Sequence, residues 1–190
     1  MRHVKKKGDS IIISKSLTYI ENGDNRKLRD ELLIEQNQLC AYTETYLGRT
    51  DQKDIDHFNP LLKSTDADSY HNWFLCKALW NREKGSKWDK YQPVLHPTDE
   101  LLESKIFYYD GNYVLEDLND LPSKNLVKLL KLDDADLAAD RKKYIERLRQ
   151  DAQRCGEAVE NHVKSLLQTN PERVYFIRAI EEEFGFKVFE

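Results

Sequence analysis

The stretch that decides the fold is Cys40–Lys87, with the sequence CAYTETYLGRTDQKDIDHFNPLLKSTDADSYHNWFLCKALWNREKGSK. Within it, Asp56-His57 is followed by Asn72 and Asn81, which lie 15 and 24 residues after the histidine. Phosphodiester hydrolysis needs a base for the attacking water and a cation for the charge that develops on the phosphate. A neutral imidazole can be that base at physiological pH. The arrangement therefore predicts a metal-dependent nuclease.

Local patterns inside this stretch predict two strands and a helix. Cys40–Tyr46 and Asp54–Phe58 are short and rich in aromatic and β-branched residues, which is typical of strands, and Pro60 ends the second of them. Tyr70–Lys84 is predicted to turn into a helix whose apolar side carries Phe74, Leu75, Leu79 and Trp80. The predicted order is β, β, α.

Asp56 and His57 are neighbours on a predicted strand, so their side chains should point to opposite faces of it. Both can serve one site only if the strand ends or bulges at this position, and Pro60 supports an ending. Asn81, on the following helix, can then offer its amide oxygen to the same ion. Hard oxygen ligands of this kind suit Mg²⁺ or Mn²⁺.

Residues 1–39 are predicted to be an arm and a helix. The arm, residues 1–24, begins basic and passes through the β-branched run Ile11–Ile13, which predicts at most one short strand. Residues 25–39 place leucines near helical spacing and should form a helix that Asp24 or Asn25 caps.

Residues 88–190 are predicted to be a hairpin followed by helices. Lys105–Tyr109 and Asn112–Leu115 flank an Asp-Gly turn, which is a strong hairpin signal. Three helices should follow: one from Pro122, a long amphipathic one from about Asp136 to Gln168, and a last one at Glu172–Phe184.

The predicted fold class is α+β, mostly helical, with a small ββα-metal module and one β-hairpin. Residues 1–190 should form one compact unit that consists of an arm and helix (1–39), the module (40–87) and a hairpin and helical part (88–190), because no linker-like composition divides them.

Composition limits the compartment and the partners. No apolar run is long enough for a membrane helix or a signal peptide, and the three cysteines form no Cys-x-x-Cys pair, so we expect a cytosolic protein. The net charge of −4 argues against a protein that binds nucleic acid by itself. Residues 77–90 nevertheless carry five cationic side chains against two acidic ones.

The Asp-His pair, the central asparagine and the Asn-x-x-Lys-Gly run resemble the HNH (ββα-metal) endonucleases. The resemblance implies that His57 is the general base and that Asp56 and Asn81 are metal ligands. It also implies that Asn72 pins the loop and orients His57, and that Lys84 contacts phosphate. The implied cofactor is Mg²⁺ or Mn²⁺.

A more specific resemblance extends over most of residues 30–150, to the HNH subunit of Septu-type and retron-associated anti-phage systems. It is carried by Cys40-Ala41-Tyr42-x-Glu44, Ile55-Asp56-His57-Phe58-x-Pro60, Asn72-Trp73, a Phe-x-Tyr-Asp-Gly hairpin and a Leu-x-x-x-Arg helix. It implies an ATPase partner of the ABC/SMC type, which would bring an acidic protein to nucleic acid. DNA is the favoured substrate, and RNA is left open.

The sequence departs from many HNH proteins at the structural zinc site. Those relatives bind zinc with two Cys-x-x-Cys knuckles, whereas this chain has only Cys40 in the first and Cys76 in the second. Two thiolates cannot close a site of four ligands, so we expect that structural Zn²⁺ is absent and that Leu79 and Trp80 pack in its place. A rescued site that borrows His71 is the alternative.

Two other functions are compatible with these patterns. The lost cysteines favour a catalytically silent HNH-like subunit that binds nucleic acid or serves in assembly. A helical interaction protein whose Asp-His pair is accidental is the third possibility, and it predicts that His57 and Asn81 lie far apart.

Overall fold

The structure, a computed structural model, describes residues 1–189. This part of the chain forms eight α-helices and two antiparallel β-hairpins. The α+β class is confirmed, with 47% of the residues in helices. The helices are α1 (Ile11–Ser14), α2 (Arg26–Glu35), α3 (Ala78–Lys84), α4 (Leu102–Lys105), α5 (Leu121–Leu129), α6 (Ala135–Cys155), α7 (Val159–Thr169) and α8 (Ile177–Phe184). The strands are β1 (Lys53–His57), β2 (Trp73–Lys77), β3 (Ile106–Tyr109) and β4 (Asn112–Leu115).

The ββα unit consists of β1, β2 and α3. β1 pairs with β2 in regular antiparallel register, from Lys53 opposite Lys77 to His57 opposite Trp73. The predicted helix from Tyr70 is wrong in its first half, because β2 precedes α3 and only a 3-10 turn precedes β2. Residues 73–76 are all buried, and a short apolar run of this kind does not distinguish a strand from a helix.

The predicted strand at Cys40–Tyr46 is also wrong. The chain turns back on itself here: the amide of Cys40 donates to the carbonyl of Thr45, the amide of Glu44 donates to the carbonyl of Cys40, and Glu44 has a φ of 60°. A single bridge between Leu39 and Tyr46 is the only ladder contact in this segment. The aromatic residues of this stretch are therefore core residues of a loop.

The arm contains a helix and no strand. The hydroxyl of Ser10 accepts a hydrogen bond from the amide of Ile12 and starts α1, which overrides the β-branched composition. α2 confirms the helix predicted for residues 25–39, and it buries Leu28 and Leu32.

The β3–β4 hairpin and α5 are confirmed, but the long helix is two helices. α6 ends where Gly156 adopts a left-handed conformation with a φ of 69°, and α7 starts three residues later. The apolar periodicity continues through this break, so the sequence pattern missed it. The last helix begins at Ile177, later than predicted, and ends at Gly185 as predicted.

One cluster of buried apolar side chains includes residues of the arm, the ββα unit and the C-terminal helices. The proposed division at residues 39 and 87 stays a prediction. None of the described helices is long and apolar enough to cross a membrane.

The β3–β4 turn packs closely on α6. Gly111 has a φ of +89°, and a Cβ atom there would lie 2.5 Å from the carbonyl oxygen of Ala138. Arg141, which is completely buried, donates to the carbonyl of Gly111 at 2.5 Å and to that of Leu132 at 3.0 Å. The turn and the helix therefore pack together at a distance and in a backbone conformation that, at position 111, only glycine allows.

We expect Gly111→Ala to lower the free energy of unfolding by about 2–4 kcal/mol, because the new methyl group adds a steric clash to an unfavourable φ. Urea denaturation followed by circular dichroism measures this change. Gly48→Ala is the control, since φ there is not positive and the nearest atom lies 3.5 Å from the added Cβ. Equal stabilities of the two variants would contradict the close approach.

Candidate active site

His57 is the last residue of β1, and its side chain is almost completely enclosed. The residue is 7% exposed, and its ring meets the ring of Tyr19 edge-on at a centroid distance of 4.4 Å. Nδ1 lies 2.8 Å from Oδ2 of Asp68, although this oxygen is out of line with the ring N–H. Nε2 is buried and has no hydrogen-bond partner among the described residues. One ring nitrogen thus lies beside a carboxylate without an aligned hydrogen bond, and the other is buried without a partner.

Asp68 is a candidate functional residue that the sequence reasoning missed. Its side chain is 7% exposed, and its other oxygen, Oδ1, accepts hydrogen bonds of 2.9 Å from Nδ2 of Asn72 and Nε1 of Trp73. Two donors from the start of β2 therefore hold the carboxylate against His57. Asp68 lies in a polar loop two residues after another acidic residue, Asp66, and nothing in its sequence spacing distinguishes it from that residue.

Asn72 ties two loops together. Its Oδ1 accepts from the amide of Asn59 at 2.8 Å, and its Nδ2 donates to the carbonyl of Asn59 at 3.1 Å as well as to Asp68. The side chain thus closes the chain just after His57 onto the start of β2. This geometry is compatible with the predicted loop-pinning role, and the contact with Asp68 connects Asn72 to the carboxylate beside His57.

Asp56 points to the other side of β1, toward α3, where its carboxylate is saturated. The ammonium of Lys84 donates to Oδ1 at 2.6 Å, to Oδ2 at 2.7 Å and to the carbonyl oxygen of His57 at 2.7 Å. The hydroxyl of Tyr42 also donates to Oδ2. Asp56 and Lys84 are each 3% exposed. Lys84 is therefore an internal cation in this structure.

Burial changes the titration of the partners of Asp56. It lowers the pKa of Lys84, an effect that the carboxylate of Asp56 opposes. It raises the pKa of Tyr42, and the nearby negative charge of Asp56 adds to that increase. Tyr42 therefore stays a neutral donor at physiological pH.

Asn81 meets a different carboxylate from the predicted one. Its Nδ2 donates to Oδ2 of Asp54 at 3.0 Å, because Asp54 shares a face of β1 with Asp56 and lies nearer the start of α3. Asp54 and Asn81 are partly exposed and line an open cavity of about 500 Å³. The sequence reasoning did not select Asp54, because the Asp-His motif contains Asp56 instead.

The structure thus brings the candidate residues together on two sides of β1. Asp54, Asp56, Asn81 and Lys84 lie on the side of α3, whereas His57 faces Asp68 and Tyr19. Within residues 1–189, these carboxylates and His57 do not form a group of three potential metal ligands. The one such group in that part of the chain consists of other residues and is described below. The accessible carboxylate of Asp54 and the amide of Asn81 nevertheless fit a hard divalent ion by their donor type.

The two cysteines of the module are buried close to each other. The amide of Lys77 lies 3.5 Å from Sγ of Cys40, and burial, with Cys40 nearby, raises the pKa of the Cys76 thiol. Trp80 is partly buried, but Leu79 is 48% exposed, so the expectation that both pack in place of zinc is wrong for Leu79. Within the described chain, His71 does not join the cysteines in a group of three ligands. The absence of structural zinc stays a prediction.

A separate Cys–Glu–His group lies where α6 meets α7. Cys155, Glu157 and His162 offer ligand atoms within 4.8 Å of one another, and Nδ1 of His162 lies 2.8 Å from Glu157. The Glu157–His162 contact bridges the break between the two helices, which accounts for it as part of the helix corner.

We expect Asn72→Ala to lower the free energy of unfolding by about 2–4 kcal/mol, because it removes three hydrogen bonds and leaves a partly buried amide and carboxylate with fewer partners. Thermal and urea denaturation measure the loss. Asn119→Ala, at an exposed position, is the matched control and should leave stability unchanged. A stable Asn72→Ala protein would show that the two loops do not depend on this amide.

Comparison with known proteins identifies the central stretch. No curated protein and no solved structure matches the chain. Residues 40–88, which contain the whole ββα unit and the residues around His57, match the family model described as HNH endonuclease.

Proposed function

We propose that this protein is a metal-dependent HNH endonuclease that hydrolyses phosphodiester bonds of nucleic acid. The family match of residues 40–88 supports the reaction class. The observation that carries the proposal is His57, a buried imidazole whose Nδ1 lies 2.8 Å from the carboxylate of Asp68 and whose Nε2 has no hydrogen-bond partner among the described residues. A general base needs a carboxylate beside one ring nitrogen and a second nitrogen without a partner, and Nε2 can take a proton once Tyr19 no longer covers the ring.

In this mechanism, Nε2 of His57 accepts the proton of the attacking water. The imidazolium that results lies next to the carboxylate of Asp68, which stabilises the positive charge in a buried setting. Asn72 and Trp73 fix that carboxylate by donating to its other oxygen. These contacts orient the base without touching the substrate, so Asp68 is a positioning residue.

Mg²⁺ or Mn²⁺, when bound, supplies positive charge to the phosphate and to the departing oxygen. Asn81 and Asp54 are the accessible donors that would hold it, and Asp56 is the further carboxylate that the family resemblance implies. The carboxylate of Asp56 becomes available only if Lys84 leaves it, because Lys84 donates to both of its oxygens. Lys84, once released, can contact phosphate as the resemblance implies.

Access to His57 requires a movement of the arm. Tyr19 covers the ring edge-on, and Glu21, two residues later, binds Lys63 at 3.0 Å and accepts from Ser64 at 3.3 Å. These surface contacts tie the arm to the loop that carries Asp68. Ion pairs of this kind are weak, at about 0–1 kcal/mol, so substrate binding can displace them.

The resemblance to the HNH subunits of anti-phage systems supports a more specific setting. We place the protein in the cytoplasm as the effector subunit of a defence complex, with an ATPase of the ABC/SMC type as its partner and DNA as the favoured substrate. The net charge of −4 supports such a partner, because the protein has little overall electrostatic attraction to nucleic acid.

A catalytically silent HNH-like subunit is the second candidate, and a specific observation favours it. His57 is 7% exposed, and the carboxylate of Asp56 is filled by Lys84 and Tyr42, so both halves of the site are closed. A binding or assembly subunit would keep this closed form when nucleic acid and divalent ions are present.

We expect His57→Ala to abolish cleavage of DNA or RNA in the presence of Mg²⁺ or Mn²⁺, and Asp68→Asn to lower kcat by about 10²-fold or more with little change in KM. If His57→Ala retains any residual cleavage, adding Asp68→Asn should not lower it further, because Asp68 acts through His57. Cleavage of a labelled substrate by the four proteins, each co-purified with its partner, tests this cycle. Full activity of His57→Ala would refute the assignment of the base.

We expect Asp54→Asn and Asn81→Ala to weaken Mn²⁺ binding, and Lys84→Met to strengthen it by freeing Asp56. Titration of free Mn²⁺ by electron paramagnetic resonance measures this without reference to activity. Removing one member of a buried ion pair costs about 3–5 kcal/mol, so folding of Lys84→Met must be verified by circular dichroism. If the parent protein binds no Mn²⁺, the silent candidate is favoured.

A further inference from the structure

We propose that Arg29 and Lys53 form a binding site for a backbone phosphate of nucleic acid. Both residues line the same cavity as Asp54 and Asn81. This inference rests on the proposed function, because it names how that site holds its substrate. It concerns α2 and the first residue of β1, to which the sequence patterns assign no functional role.

The cavity has a cationic rim next to the candidate metal ligands. It encloses about 500 Å³ between the end of the arm, the start of α2 and β1. Its lining includes three cationic side chains, Arg26, Arg29 and Lys53, and two acidic ones, Asp24 and Asp54.

Two of the three cations are available to a ligand. Arg26 is not, because its guanidinium binds the carboxylate of Asp24 at 2.7 Å. Arg29 has only a contact of 3.5 Å with the exposed Asp30, at the limit of hydrogen-bond distance. Lys53 has no ion-pair partner among residues 1–189. A phosphate group could accept hydrogen bonds from both side chains and pair with their charges.

The two cations line the same cavity as the candidate metal ligands. Lys53 precedes Asp54 in β1, and Arg29 of α2 lines the same cavity. A phosphate bound between them would place the next part of the strand against Asp54 and Asn81. Tyr19 lines the same cavity and touches the ring of His57, so movement of Tyr19 would connect the bound strand with the base.

Nucleic acid fits this site better than a small anion does. The cavity is open along one side and is larger than a single phosphate requires, and its aromatic side chain, Tyr19, can stack on a base. Contacts to phosphates do not depend on base sequence, so the site should bind both DNA and RNA and should be sensitive to salt.

The test measures binding in the His57→Ala background, which prevents cleavage of the probe. Fluorescence anisotropy of short labelled DNA and RNA, single-stranded and double-stranded, gives Kd as a function of salt concentration. We expect Arg29→Gln and Lys53→Gln each to weaken binding by about three- to tenfold on every probe, and each to reduce the salt slope by about 1.

Lys27→Gln is the matched control. Lys27 lies on the same helix and is exposed, but it does not line the cavity. It should bind like the parent, which would show that overall charge is not responsible. If Arg29→Gln and Lys53→Gln bind like Lys27→Gln, or if the parent binds no probe, the phosphate site is refuted.

The outcome also separates this inference from the proposed function. Loss of binding in the two variants, combined with no cleavage by the protein with native His57, would support the phosphate site and refute hydrolysis. Cleavage by that protein with unchanged binding in the variants would do the opposite.

Discussion

The ion pair between Lys84 and Asp56 is the interaction on which the central part of this protein depends. It joins the last turn of α3 to β1, and Tyr42 adds the loop that precedes the strands. The ammonium has three oxygen acceptors, the two carboxylate oxygens and the carbonyl of His57, so neither charge is left unpaired in a buried setting. Removal of one partner would leave the other buried and unpaired, so a loss of about 3–5 kcal/mol in the free energy of unfolding is expected.

This pair also decides what the candidate site can do in the form described here. Lys84 neutralises Asp56 here, so under the proposed function a divalent ion would have to displace the ammonium before this carboxylate could bind it. Asp54 and Asn81, which lie at the cavity, remain accessible. The ring of His57 under Tyr19 and the filled carboxylate of Asp56 are thus two separate closed positions, one on each side of β1.

A second buried carboxylate connects the module to the rest of the chain. Glu44, which is 1% exposed, accepts from the amide of Arg178 at 2.8 Å and from the hydroxyl of Tyr113 at 3.3 Å. The carbonyl of Glu44 also accepts from the amide of Phe176. The loop before the strands is therefore fixed by α8 and the β3–β4 hairpin, and Tyr42 in that loop is held where it meets Asp56.

The sequence by itself determined the α+β class, the hairpin at Asp110-Gly111, the helices at α2 and α5, and the stretch that matches the HNH endonucleases, because these depend on local turn chemistry, periodicity and motif spacing. Only the tertiary structure decided that residues 73–77 form a strand, since a short buried apolar run suits either element, and that Gly156 divides the long helix. It also decided the partners of each polar residue. Strand alternation sends Asp56 to Lys84 and His57 to Asp68, and the residue that completes each pair lies on a distant loop or helix that spacing alone does not reveal.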